Sequence, residues 1–314
     1  MTSRLLAFFG GMATVLGAGW LLFGASAWTP SATGAKPAAP AGAAAGVSTR
    51  VVPPPVERPI ALTGPDRVHV SFGKNPPASG LLFDMDSGQV LWRNEASTVR
   101  PIASTTKIMS ALIVADRTRP RQTVQISKEM RDYSGSAVGL PHGKKIPVES
   151  LFAAMLVQSG NDAALALAIA SDGSVPKFVQ EMNDRARDLG LACTHYTSPH
   201  GLQPSNRSCA ADLAVLARLA MQEPRIRRIV REDGAQVPWP IKGGILNLAP
   251  TNPLLISDYP GTVGLKTGYT DAAGRCLVGV VARGEREYGV VLLDSPDPAA
   301  QAEKLFDAAF RKQR

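Results

Sequence analysis

The chain reads as an α+β protein in which one antiparallel sheet carries a block of helices on its faces. Three observations predict this. Apolar strand patterns stand at both ends of the globular part, segments with helical spacing fill the middle, and no internal repeat breaks the order. With 314 residues, 45% of them apolar, the chain is long enough to bury a large core without disulfide support.

The N-terminal end is read first. Met1 to Arg4 carry one positive side chain, and Leu5 to Trp28 follow with no charged residue. Such a run suits a secretory leader, with Ala25-Ser26-Ala27 as a cleavage site, or a single membrane anchor with Arg4 left on the cytoplasmic side. Both alternatives place the rest of the chain outside the cytoplasm. From Thr29 to about Gly64 the composition shifts to Ala, Pro, Gly and Thr, which cannot bury a core and predicts an extended tether. The expected organisation is therefore 1–28 leader or anchor, 29–65 tether and 66–314 catalytic domain.

Within that domain, Ser79 to Trp92 predicts two strands joined by an Asp-Ser-Gly turn. Helical spacing follows from Ser104 onward and over 148–157, 163–170, 175–189 and 210–221. Strand patterns return over 263–266, 275–282 and 287–293, and an amphipathic helix over 299–310 closes the domain. The three cysteines are too few and too scattered for a disulfide scaffold or a metal site. Cys276, in an apolar strand, is expected as a buried free thiol, while for Cys193 and Cys209 pairing and separate thiols both stay open. The net charge of +8 suits anionic cell-envelope polymers, and equally a solvated arginine-rich surface.

The chemistry starts at Ser104-Thr-Thr-Lys107, where a serine and a lysine sit three residues apart at the head of a helix apolar on every side. Three apart puts both on one face, within reach of each other. A lysine buried there is costly unless it has a partner or a task. The same spacing recurs at Ser71/Lys74 and Ser174/Lys177, but the first lies in a Gly/Pro-rich stretch and the second reads as a helix cap with a solvated first turn. Two further segments are unique in the chain. Ser159-Gly-Asn161 sits in a polar break between helical segments, where a hydroxyl and an amide can point into one cleft, although the same residues also make an ordinary helix-helix turn. Lys266-Thr267-Gly268-Tyr269 follows a strand candidate, where a cation, a hydroxyl and a residue without a side chain let a substrate backbone lie alongside.

Ser-x-x-Lys, Ser-x-Asn and Lys-Thr-Gly in this order form the signature of penicillin-binding proteins and class A β-lactamases. The chain resembles the low-molecular-mass penicillin-binding proteins, the serine D-alanyl-D-alanine carboxypeptidases. Ile102-Ala-Ser-Thr-Thr-Lys-Ile-Met109, Ser159-Gly-Asn-Asp-Ala-Ala164, Pro199-His-Gly-Leu202 and Lys266 to Leu277 carry that likeness, over about Ser79 to Phe310.

The resemblance implies a β-lactamase/transpeptidase-like fold. It also implies a mechanism in which Ser104 is acylated, Lys107 takes its proton and Ser159 relays a proton to the leaving amine. Asn161 would hold a substrate amide, Lys266 and Thr267 the terminal carboxylate, and the backbone N–H groups of Ser104 and Tyr269, beside Gly268, the oxyanion. Peptidoglycan stem peptides are the implied substrate and β-lactams covalent inhibitors. The reading calls for no cofactor, metal or nucleic acid, and for a membrane only through residues 5–28.

Two features depart from the family. After the last strand the chain reads Leu293-Asp294-Ser295, where carboxypeptidases that grip a free terminal carboxylate have an arginine, so endopeptidase or transpeptidase action on cross-links stays open. The chain also stops soon after Phe310, which leaves no room for the family's extra C-terminal domain, so any anchoring is expected from residues 5–28. A class A β-lactamase would need a glutamate over a deacylating water, and the nearest one after Asn161, Glu181, lies in a helix pattern. A tethered sensor that is acylated but does not turn over is the rival that is not an enzyme.

Overall fold

The computed structural model describes residues 60–131 and 134–312, so the expected leader or anchor, residues 1–28, lies outside it, as does most of the tether. No helix among the described residues is long and apolar enough to cross a membrane.

The first strands, β1 (Ser79–Asp84) and β2 (Val90–Asn94), form the expected hairpin. Its turn is held by Asp84, whose carboxylate accepts from the backbone and side chain of Ser87. A two-residue strand, β3 (Arg100–Pro101), then leads into a single 3₁₀ turn over Ala103–Thr106 and helix α1 (Lys107–Arg117). Helix α1 ends at Thr118, which is extended, two residues ahead of Pro120, a residue that could not have continued the helix.

The helical block continues through the short hairpin β4 (Thr123–Gln125) and β5 (Lys145–Pro147) into α2 (Val148–Leu156), α3 (Asn161–Asp172) and α4 (Val175–Asp188). Gly173, at φ +77°, caps α3, and its N–H reaches the Ile169 carbonyl. Ser174 caps α4 by accepting from the Lys177 N–H at 3.4 Å, so the Ser174/Lys177 pair is a helix start. Ser71 takes the Gly73 N–H in an exposed loop. After β6 (Arg207–Ser208), which pairs with β3, come α5 (Ala210–Gln222), α6 (Pro224–Val230), the hairpin β7 (Ala235–Pro238) and β8 (Ile245–Leu248), and α7 (Pro253–Ile256). The chain then closes with β9 (Thr262–Thr270), β10 (Gly274–Arg283), β11 (Arg286–Leu293) and α8 (Pro298–Arg311).

The main sheet has the order β2-β1-β11-β10-β9, antiparallel throughout, so the first and last parts of the chain interlock. Both faces are covered, and the sequence shows why its strands read as nearly continuous apolar runs. Phe83, Val278, Val280 and Val291 join the core shared with the helical block. Their neighbours Leu82, Leu277, Val281, Val290 and Leu292 pack with Leu305 and Phe306 of α8. Phe83 also explains Gly289, since its ring occupies the space where a side chain at 289 would go.

Helix α1 runs through the middle of the helical block, with Ile108, Met109, Ala111, Ile113 and Val114 fully buried. Contacts with the domain start before Asp66: Ile60 and Leu62 pack against the core, and Arg93 donates to the carbonyls of Leu62 and Gly64. Cys193 and Cys209 are joined in a disulfide with Cα atoms 5.5 Å apart, and Cys276 is a buried free thiol on β10.

Candidate active site

Ser104 lies in the 3₁₀ turn ahead of α1, one turn earlier in local geometry than a serine inside the α-helix would lie. The preceding Ala103 holds φ +46°, a left-handed conformation that costs a residue with a side chain and persists only where its surroundings enforce it. The enforcement is visible. Gly201 crosses so close to the Ala103 carbonyl that no side chain fits there. The strain sets the turn so that Lys107, at the first position of α1, points back at the serine. Its Nζ lies 2.8 Å from Ser104 Oγ, 2.7 Å from Asn161 Oδ1 and 3.0 Å from the His200 carbonyl.

Lys107 is 0% exposed, and among the described residues no carboxylate touches its ammonium. Burial disfavours its charged form most, the Lys266 ammonium adds to this, and the more distant Asp162 carboxylate opposes it. The net result is a pKa well below that of an ordinary lysine.

The polar break between α2 and α3 supplies the next pair. Ser159 is buried, with φ +64°, and Asn161 opens α3 and is buried with it. The Asn161 amide is held from both ends, Oδ1 by Lys107 and Nδ2 by the Ser134 carbonyl at 2.7 Å. An amide oxygen keeps a second lone pair and an amide nitrogen a second hydrogen, so each end retains one unused bond.

Strand β9 supplies the remaining residues. It is an edge strand of the main sheet, paired to β10 on one side, and its face at Gly268 lies against the Ser104 turn. A Cβ at Gly268 would lie 2.9 Å from Ser104 N and 3.0 Å from the Ile102 carbonyl, so only glycine allows this approach. Lys266 is buried, and desolvation pushes its pKa down to about 7. Thr267 Oγ1 donates to Thr251 Oγ1 at 2.8 Å, and Tyr269 leaves its ring 64% exposed with its hydroxyl on Asp271.

Ser104, Lys107 and Asn161 are thus joined directly. Lys266 stands near enough to act on Lys107, and Gly268 abuts the Ser104 backbone. Two partners escape residue-type reasoning. One is the His200 carbonyl, because a backbone oxygen has no residue type to signal it. The other is Thr251, whose only sequence signal is its place just before the Asn252-Pro253 helix start. Asp294, noted in the sequence as standing where an arginine is usual in the family, pairs with Arg100 at 3.3 Å.

Comparison with known proteins gives the family. The family model described as D-alanyl-D-alanine carboxypeptidase matches residues 74–297. The D-alanyl-D-alanine carboxypeptidase DacB2 of Mycobacterium tuberculosis is 36% identical over 250 residues, 77% of this chain and 84% of the relative. A D-alanyl-D-alanine endopeptidase of Escherichia coli is 30% identical over 248 residues, 77% of each chain. Among solved structures, the Streptomyces K15 DD-transpeptidase is similar at TM-score 0.71 and 30% identity, covering 77% of this chain and 100% of that one. With a family match over 74–297, a relative 36% identical and a shared fold, the chain belongs to the D-alanyl-D-alanine carboxypeptidase family of serine peptidases.

Proposed function

We propose that this peptidase works outside the cytoplasm and removes the terminal D-alanine of peptidoglycan stem peptides through an acyl-enzyme on Ser104. The observation that carries the reading is the environment of Lys107, a dry amine with three neighbours at hydrogen-bond distance. A neutral amine has two hydrogens and one lone pair. With the hydrogens donated to Asn161 Oδ1 and the His200 carbonyl, the lone pair is left facing Ser104 Oγ–H.

Lys107 takes the Ser104 proton as Oγ bonds to the carbonyl carbon of the penultimate D-alanine. The tetrahedral oxyanion is held by the Ser104 and Tyr269 N–H groups. The C–N bond breaks, and the amine leaves with a proton relayed from Lys107 through Ser159. Water then hydrolyses the ester by the reverse proton path. Asn161 holds a substrate amide with its unused bonds, and Lys266 and Thr267 hold the terminal carboxylate. β-Lactams acylate the same serine.

Export follows from the uncharged run over residues 5–28, with 1–28 as leader or anchor, 29–65 as tether and 66–314 as catalytic domain, the last residues of the tether, from Ile60, packing on that domain. The Cys193–Cys209 disulfide supports it, because such bonds persist in oxidising compartments. Asp294 in place of an arginine favours a second reading, cleavage of cross-links with no free carboxylate at the scissile end.

One experiment tests all of this. Intact cells are treated with a fluorescent penicillin that does not enter the cytoplasm, and purified protein is incubated with monomeric pentapeptide and with cross-linked dimer. Covalent label on Ser104, lost in Ser104→Ala, and free D-alanine from the monomer are expected. Label that survives Ser104→Ala overturns the nucleophile. Cleavage of the dimer alone replaces carboxypeptidase with endopeptidase, and label without either product identifies a sensor.

A further inference from the structure

Asp162 is fully buried, and nothing in the proposed reaction uses it. Its carboxylate accepts from four backbone N–H groups, those of Val138, Gly139, Leu140 and Ala163, at 2.9–3.2 Å. Ala163 belongs to the first turn of its own helix, where a carboxylate is an ordinary stabiliser. The other three donors belong to the segment 134–140, which crosses the polar break between α2 and α3.

That segment is fastened at two further points. Asn161 N–H donates to the Ser136 carbonyl at 2.7 Å, and Ser136 Oγ donates to the Gln158 carbonyl at 2.8 Å. Its upstream end presents the Ser134 carbonyl that holds Asn161 Nδ2, and Gly135 at φ +66° passes the amide so closely that a Cβ would lie 3.0 Å from it. The Asn161 amide is therefore oriented by the segment, and the segment by Asp162. Turned over, the amide would face Lys107 with its donor, and two N–H groups would meet.

The geometry points to Asp162 as a positioning residue. Through residues 134–140 its carboxylate fixes which end of the Asn161 amide faces Lys107, and its charge acts on the Lys107 amine. This rests on the reading of Lys107 as the base for Ser104. The charged groups acting on Lys107 are Lys266 from β9, which opposes its protonation, and Asp162 from α3, which favours it. The imidazole of His200 accepts the Leu202 N–H through Nδ1.

The test is the second-order rate of acylation by a fluorescent penicillin against pH, measured for the whole protein, Asp162→Asn and Ser136→Ala. Ser136→Ala removes one fastening of the same segment and leaves every charge in place. Asp162→Asn is expected to acylate about tenfold to a hundredfold more slowly, as for a misplaced reacting group. The acidic limb of its profile is expected to move to lower pH, because the carboxylate that favours protonated Lys107 is gone. Ser136→Ala is expected to keep the limb where it is.

An unmoved limb in Asp162→Asn, or a limb moved equally in both variants, overturns the proposal. If the wild type shows no labelling at Ser104, the underlying base assignment fails instead. Should Asp162→Asn fold poorly, hydrogen exchange of the wild-type Val138, Gly139 and Leu140 amides decides. Protection beyond that of exposed loop amides is expected, and free exchange overturns the anchoring.

Discussion

At the scale of single residues, the proposed chemistry turns on two buried lysines, neither with a carboxylate of the described residues against its ammonium. Burial lowers the pKa of both, and the Lys266 ammonium lowers that of Lys107 further. In the proposed reaction Lys107 has to be neutral to take a proton, whereas Lys266 has to be charged to hold a carboxylate. The working range therefore lies above the Lys107 titration and is limited on the alkaline side by Lys266, lowered to about 7 in the free protein. Lys266→Met tests the pair. Removing a neighbouring cation raises the Lys107 pKa, so the acidic limb of the acylation profile should move to higher pH, and the alkaline limb assigned to Lys266 should vanish. An acidic limb that stays in place or moves down would separate the two lysines electrostatically. The shift is opposite in sign to that expected for Asp162→Asn, so the two variants distinguish a charge effect from general loosening.

At the scale of elements, the disulfide is set where it governs the site. Cys209 immediately follows β6 and caps α5, Cys193 lies at the start of the segment that returns to β6, and between them runs the stretch that carries the His200 carbonyl. Closing a loop of this length restricts the unfolded chain, worth about 2–4 kcal/mol. The double variant Cys193→Ala, Cys209→Ala should lose stability of that order in urea unfolding, with slower acylation, because the acceptor for Lys107 is less firmly held. Acylation at the wild-type rate would show that the site keeps its shape without the bridge.

Much at this scale was legible beforehand. The helices α2 to α5 and the strands of the main sheet carry long periodic patterns, and Ser104 with Lys107 carries a spacing that geometry makes meaningful. The two-residue strands β3 and β6, the hairpins β4–β5 and β7–β8, and the short helices α6 and α7 were not, because their sequences hold too few residues to show a period. The pairing of Cys193 with Cys209 was open, since separation along the chain does not give a distance. Ser104 was expected in the first α-helical turn. The left-handed Ala103, forced by Gly201, tightens that turn to 3₁₀, and no local preference of alanine announces it.

At the scale of the whole molecule, the sheet separates two cores, one with the helical block and one with α8. Every site residue discussed above stands on the side of the helical block or on the β9 rim. Phe306, fully buried against the other face, is remote from that chemistry. Phe306→Ala should cost about 3–5 kcal/mol in denaturant unfolding, as other large-to-small core changes do, and leave the pH profile of acylation where it was. A displaced profile would mean that α8 transmits force through the sheet to the cleft.

The rim of β9 has a consequence for how the protein behaves in a crowd. A free sheet edge invites strands from other molecules to pair with it. Here no strand of the main sheet pairs with the outer edge of β9, while the Ser104 turn packs on the face of the strand at Gly268. An opening that suits an extended substrate also suits any other extended chain. Engineering that widens the cleft at this turn for bulkier substrates enlarges that margin, and variants of that kind should be screened for self-association alongside turnover.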